Sequence, residues 1–137
     1  MLSVLRIVSA AIFITSGTTK ILGFPPGPPD MPPVSFMSQI WIGGMLEMVG
    51  GVLLLIGLFT RPVAFVMAGM MAVAYFQFHF PQSFFPTVNG GIPAILFCFI
   101  FLYLMLAGAG PWSVDTAIAR GRHEGGLKTG DRQIRPT

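Results

Sequence analysis

Charge is scarce in this sequence. Only 9% of its residues are Asp, Glu, Lys or Arg, against roughly 25% in a soluble domain. Five carboxylates and eight basic residues cannot coat a water-facing surface on 137 residues that are 53% hydrophobic. The mean hydropathy of +0.75 points the same way. Soluble globular and disordered classes are therefore excluded. Cysteine is nearly absent too. Cys98 stands alone in an apolar run, so no intrachain disulfide and no C-x-x-C redox pair can form, and Cys98 reads as a small buried hydrophobe. Histidine occurs only at positions 79 and 123. One Cys and two His are too few to hold haem, copper or an iron–sulfur cluster, so no intrinsic cofactor or metal is expected.

Basic residues are few but unevenly placed. Arg120, Arg122, Lys128, Arg132 and Arg135 crowd the last eighteen residues, after the hydrophobic body. There is no basic stripe interleaved with aromatics, so nucleic acid is not expected as a partner. The tail reads instead as a topology signal.

What is abundant is long apolar sequence. A helix needs roughly 20 apolar residues to cross a hydrocarbon core of about 30 Å. Residues 2–22, 36–59, 62–80 and 92–109 meet or approach that length, and only Arg6, Lys20 and Glu47 carry charge within them. The fold class expected is an all-α, four-helix membrane bundle over residues 1–120, followed by a basic tail, 121–137, expected to be disordered. Residues 2–22 lack a clear A-x-A cleavage site and read as a retained span. Six prolines in Gly23–Ser35 exclude a helix there and favour polyproline II. Pro62 falls at the start of the third span, where its missing N–H is harmless. Ser113 is suited to cap a short helix ending near Arg120. With both termini on one side, that side collects Arg6, Arg61 and five tail residues, and the other collects only Lys20. The positive-inside rule then puts both termini in the cytoplasm and the two longer loops outside.

Periodicity of 3.6 sorts polar residues into faces. In the second span, Gly43, Glu47, Gly50, Leu54 and Gly57 fall within about 80° of one another. Glycine stripes mark close helix approach, so Gly43, Gly50 and Gly57 are assigned packing roles. An ionisable residue inside a span costs roughly 2.5–3.5 kcal/mol on insertion scales, which makes Glu47 a functional candidate. In the first span Arg6, Ala10, Phe13, Gly17 and Lys20 share a face. In the third, Arg61, Ala64, Ala68, Ala72, Tyr75 and His79 do, while Gln77 points away. Arg6 and Arg61 are assigned structural roles. Combined with the topology, these faces place Lys20, Glu47, Tyr75, His79 and Asn89 in one outer-half layer, a candidate small-molecule pocket between helices. Glu47 is expected to pair with Lys20 rather than with Arg6. His79 or Tyr75 would donate to a ligand carbonyl, and Phe76, Phe78, Phe80, Phe84 and Phe85 would supply apolar ring surface.

The same residues carry a resemblance. Arg6 followed by Gly17-Thr18-Thr19-Lys20-Ile21-Leu22-Gly23-Phe24 is similar to the arginine and G-x-x-K-hydrophobic-x-G-F of the DoxX family of small bacterial membrane proteins. Glu47-Met48-Val49-Gly50-Gly51 running to Gly57-Leu58-Phe59-Thr60-Arg61, then Asn89-Gly90-Gly91 and Gly110-Pro111-Trp112-Ser113-Val114-Asp115, resemble its later pieces in order. One departure is Ile92, where the family commonly has glutamate after N-G-G. The resemblance implies a four-helix bundle in the bacterial inner membrane, loosely associated with quinone-linked redox chemistry. The expectation is an accessory subunit with a lipid-soluble ligand, a quinone, in the outer-half layer. Its partners would be the lipid bilayer and either redox-complex subunits or further copies of itself. Two alternatives stay open: a structural or assembly subunit without ligand, and a small proton-coupled transporter.

Overall fold

The computed structural model describes residues 1–29 and 33–132. All regular structure among them is helical: α1 Leu2–Leu22, α2 Gln39–Ile56, α3 Thr60–Ala74 continuing as one π-helical turn Tyr75–His79, α4 Ile92–Ala107 and α5 Val114–Arg132. α1, α2 and α3 with its π turn are long and apolar enough to cross a membrane, and α4 is a shorter apolar helix. Both glycines that end the first two helices have left-handed φ. At Gly57 (φ 71°), Gly57 N–H donates to Leu54 O (3.1 Å) and Leu58 N–H to Leu53 O (2.9 Å). That is the Schellman arrangement, which satisfies carbonyls a membrane would leave unsolvated. Proline again explains why helix is absent from the described part of the Gly23–Ser35 segment.

The four helices form a closed ring in chain order. α1 packs most extensively on α2, and α3 on α4; α2 meets α3, and α4 closes onto α1. The closure is aromatic, with Phe13 edge-on to Phe97 and Phe101 at 4.9 and 4.8 Å. Inside lie Ala10, Leu54, Ala64, Met67, Ala68 and Leu104, all buried. Outside, apolar side chains such as Val49, Phe65, Leu96, Phe99 and Leu106 are exposed, as a lipid-facing surface requires.

The glycine stripe works differently from expectation. Gly17 and the flanking glycines of α2 form the tight seam: a Cβ on Gly17 would lie 2.7 Å from Gly44 O and Met48 N, and one on Gly51 would lie 2.7 Å from Ile14. Gly50 faces α3 instead, against Met67 Sδ. Nothing lies within 4 Å of a Cβ on Gly43, so this glycine is not a packing contact. The reason is that α2 touches two neighbours, whose directions one helix's periodicity does not specify.

At the end of the bundle that carries the termini, Arg6 is 1% exposed rather than reaching toward the interface. Its Nη2 donates to Trp112 O at 2.6 Å, and Nη1 occupies the space a Gly57 side chain would need. Asp115 Oδ1 and Oδ2 accept from Phe59 N and Thr60 N, both 2.9 Å, at the start of α3. Helix α5 runs from Val114 to Arg132, well past Arg120, where the sequence suggested it would stop. No proline interrupts the chain before Pro136, so nothing forces the helix to end. The rest of the tail expected to be disordered, residues 133–137, lies outside the described residues, as do residues 30–32 of the proline-rich segment.

Candidate functional site

Glu47 sits eight residues into α2, or about 12 Å along the helix axis. Gly44, one turn earlier, lets α1 approach so closely that a Gly44 Cβ would touch Lys20 Cβ at 3.0 Å. Lys20, in the last turn of α1, therefore reaches Glu47: Nζ lies 2.6 Å from Oε1. The pairing is with Lys20 and not with Arg6, which is occupied at the opposite end. The Glu47 side chain is 5% exposed and that of Lys20 27%. Glu47 Oε2 is buried and has no hydrogen-bond partner among the described residues. A buried charged oxygen left unpaired is costly and unusual.

The pair forms part of the wall of a partly open cavity of about 520 Å³ lined by α1, α2, α3 and α4. Its size is in the range of small-molecule sites. Apolar lining comes from Phe13, Met70, Met71, Phe78, Ala94 and Phe97. Polar groups are few: Lys20, Glu47, His79, Ser16 and Gln39. Gly43 lines the cavity as well, and its missing side chain leaves the space open. The cavity lies in the half of the bundle away from the termini.

Of the five residues expected to converge, three meet here. Lys20, Glu47 and His79 line the cavity; Tyr75 and Asn89 are not among its lining residues. Asn89 is buried, and its side chain organises the loop into α4: Nδ2 donates to Ser83 O (2.8 Å), and Oδ1 accepts from Gly91 N (2.7 Å). Tyr75 packs on Gly91, where a Cβ would lie 2.6 Å from Tyr75 Cε2, and its ring stacks on His79 at 6.4 Å. Between them the backbone forms a π turn, with Phe80 N–H donating to Tyr75 O at 2.9 Å. A π turn breaks the i, i+4 register and recurs at functional sites.

His79 Nδ1 lies 2.9 Å from Asn89 O. A carbonyl only accepts, so Nδ1 carries the hydrogen, and the neutral ring keeps Nε2 as an acceptor. Of the groups lining the cavity, Lys20 keeps donors beyond the one given to Glu47. Of the five phenylalanines expected to supply ring surface, only Phe78 lines the cavity; Phe76, Phe80, Phe84 and Phe85 are exposed.

Several contributors were not singled out in advance. Gln39 lines the cavity and exchanges hydrogen bonds with Gln77, Nε2 of Gln77 donating to Gln39 Oε1 at 2.9 Å. Phe97 and Pro93 come from α4, an apolar helix whose periodicity is uninformative. The one advance signal for Gln39 was a polar side chain opening α2.

Comparison with known proteins agrees with this architecture. A DoxX family model matches residues 1–80. An uncharacterized protein of Haemophilus influenzae is 41% identical over 117 residues, covering 83% of this chain and 87% of its own. The inner membrane protein YqjF of Escherichia coli is 32% identical over 126 residues, covering 82% and 87%. No solved structure matches. With its helices of membrane-spanning length, this is a multi-pass inner-membrane protein, and the chain belongs to the DoxX family.

Proposed function

We propose that the protein is an accessory, non-catalytic subunit of a membrane redox complex that holds the ring of a quinone-class lipid in the cavity between its four helices. Support comes above all from Glu47, whose Oε2 has no partner although the residue is buried on the wall of a mostly apolar cavity. A carboxylate within a membrane span is costly, and a ligand in the cavity would give it a use beyond joining α1 to α2. A ring with oxygen substituents matches the polar groups present. Lys20 donates to a carbonyl, and His79 accepts from a hydroxyl. Phe78 and Phe97 cover the ring faces. With the termini cytoplasmic, the cavity lies in the outer half of the membrane.

The experiment is equilibrium binding of a short-chain quinone analogue to the purified protein and to E47A and H79A. Saturable binding by wild type, weakened at least tenfold by each substitution, is expected. If wild type does not saturate, or both variants bind as wild type does, the cavity does not bind such a ligand. The Lys20–Glu47 pair would then serve only to hold the two helices in register.

A further inference from the structure

A second, larger and more open cavity, a surface groove of about 810 Å³, lies at the other end of the bundle, where α3 begins, α4 ends and α5 starts. We propose that it binds the phosphate headgroup of an anionic phospholipid, a role separate from the cavity around Glu47.

Charge supplies the first support. Arg61, Arg120 and His123 line this cavity. The single carboxylate among the lining residues, Asp115, is already committed: each of its oxygens accepts a backbone N–H at 2.9 Å, from Phe59 and Thr60. None of the three basic side chains has a carboxylate or hydrogen-bond partner among the described side chains; the one ion pair there is Lys20–Glu47. Arg61 in particular lies away from the carboxylates of α5 beyond Asp115, and an arginine fork matches phosphate oxygens.

Depth supplies the second. Helix α4 has 16 residues, about 24 Å of rise, against a hydrocarbon thickness of about 30 Å. The cavity begins where α4 stops, at Ala107 and Gly108. Centred in that core, the helix stops only about 3 Å short of the headgroup boundary. Trp112, 68% exposed in the adjoining segment, is of the type that prefers that level.

The walls distinguish a lipid from a soluble anion. Phe59, Pro62 and Pro111 line the same cavity, giving the glycerol and first methylenes an apolar surface beside the cations. A free phosphate would have no use for that surface. Insertion topology alone also favours arginine on this side of the membrane, but it does not require the arginines to share one cavity.

The test is native mass spectrometry of the purified full chain with equimolar dioleoyl phosphatidylglycerol and dioleoyl phosphatidylcholine. Wild type should retain the anionic lipid with about thirtyfold preference, as roughly 1 kcal/mol from each of two arginines gives. R61Q and R120Q should each cut the preference to about fivefold or less, and R61K should keep more of it than R61Q does. Arg122 is exposed on the same helix but does not line the cavity, so R122Q is the matched loss of charge and should leave the preference unchanged. Loss in R122Q equal to that in R120Q would mean diffuse surface charge and overturn the proposal. So would absence of preference in wild type, or displacement of the lipid by millimolar inorganic phosphate.

Discussion

Replacing Lys20 by methionine keeps most of the side chain's length and removes its charge. Glu47 would be left buried with neither oxygen partnered, since Oε2 has no partner already. Breaking one side of a fully buried pair costs roughly 3–5 kcal/mol. Lys20 is 27% exposed, so solvent already weakens the pair, and we expect about 2–3 kcal/mol for K20M. E47Q is gentler. The glutamine carbonyl still accepts from Nζ, and the ammonium has water within reach, so the loss is about 1 kcal/mol. The double variant K20M/E47Q strands no charge and should be less destabilised than the sum of the two single variants, by at least about 1 kcal/mol. Equilibrium unfolding of the purified protein in mixed micelles, titrated with a denaturing detergent, measures all three. The reasoning fails if K20M is no worse than E47Q, or if the double variant is additive.

Three further outcomes are expected. G17A should destabilise by about 2–3 kcal/mol in the same titration, because the new methyl meets backbone atoms of α2 at 2.7 Å, whereas G43A, with nothing within 4 Å, should be neutral or slightly stabilising. D115N should cost about 1–2 kcal/mol in the titration, since its amide nitrogen cannot accept and one N–H at the start of α3 loses its partner. A reporter active only outside the cytoplasm should be silent when fused after Thr137 and active when placed in the Gly27–Pro33 segment; the reverse would put the Glu47 cavity in the inner half of the membrane.

Hydropathy and breakers alone located the helices. Leu2–Leu22 is the span read from sequence, and α4 begins at Ile92 as expected. Both boundaries follow from local rules: apolar length, and glycine or proline where a helix must stop or start. Glu47 stood out for the same reason, because its cost inside a membrane depends on the residue and its depth, not on its neighbours. Lys20 as its partner was legible too, from depth and reach.

Only the tertiary structure decided what surrounds that pair. Periodicity gives angles around one helix axis but not how one helix is rotated against the next. It could not tell that Gly44 and Gly51, rather than Gly43, meet α1, nor that Gly43 opens onto a cavity. Asn89 and His79 lie at similar depth, yet loop geometry commits the Asn89 side chain to its own backbone and one ring nitrogen of His79 to Asn89 O. The π turn at Tyr75–His79 shows in the backbone hydrogen bonds and in no residue pattern. Arg6 could as well have reached the interface as been buried against Trp112 O; residues 106 positions apart are joined there by the closing of the helix ring. Each of these outcomes depends on distances between elements remote in sequence, which only packing of the helices sets.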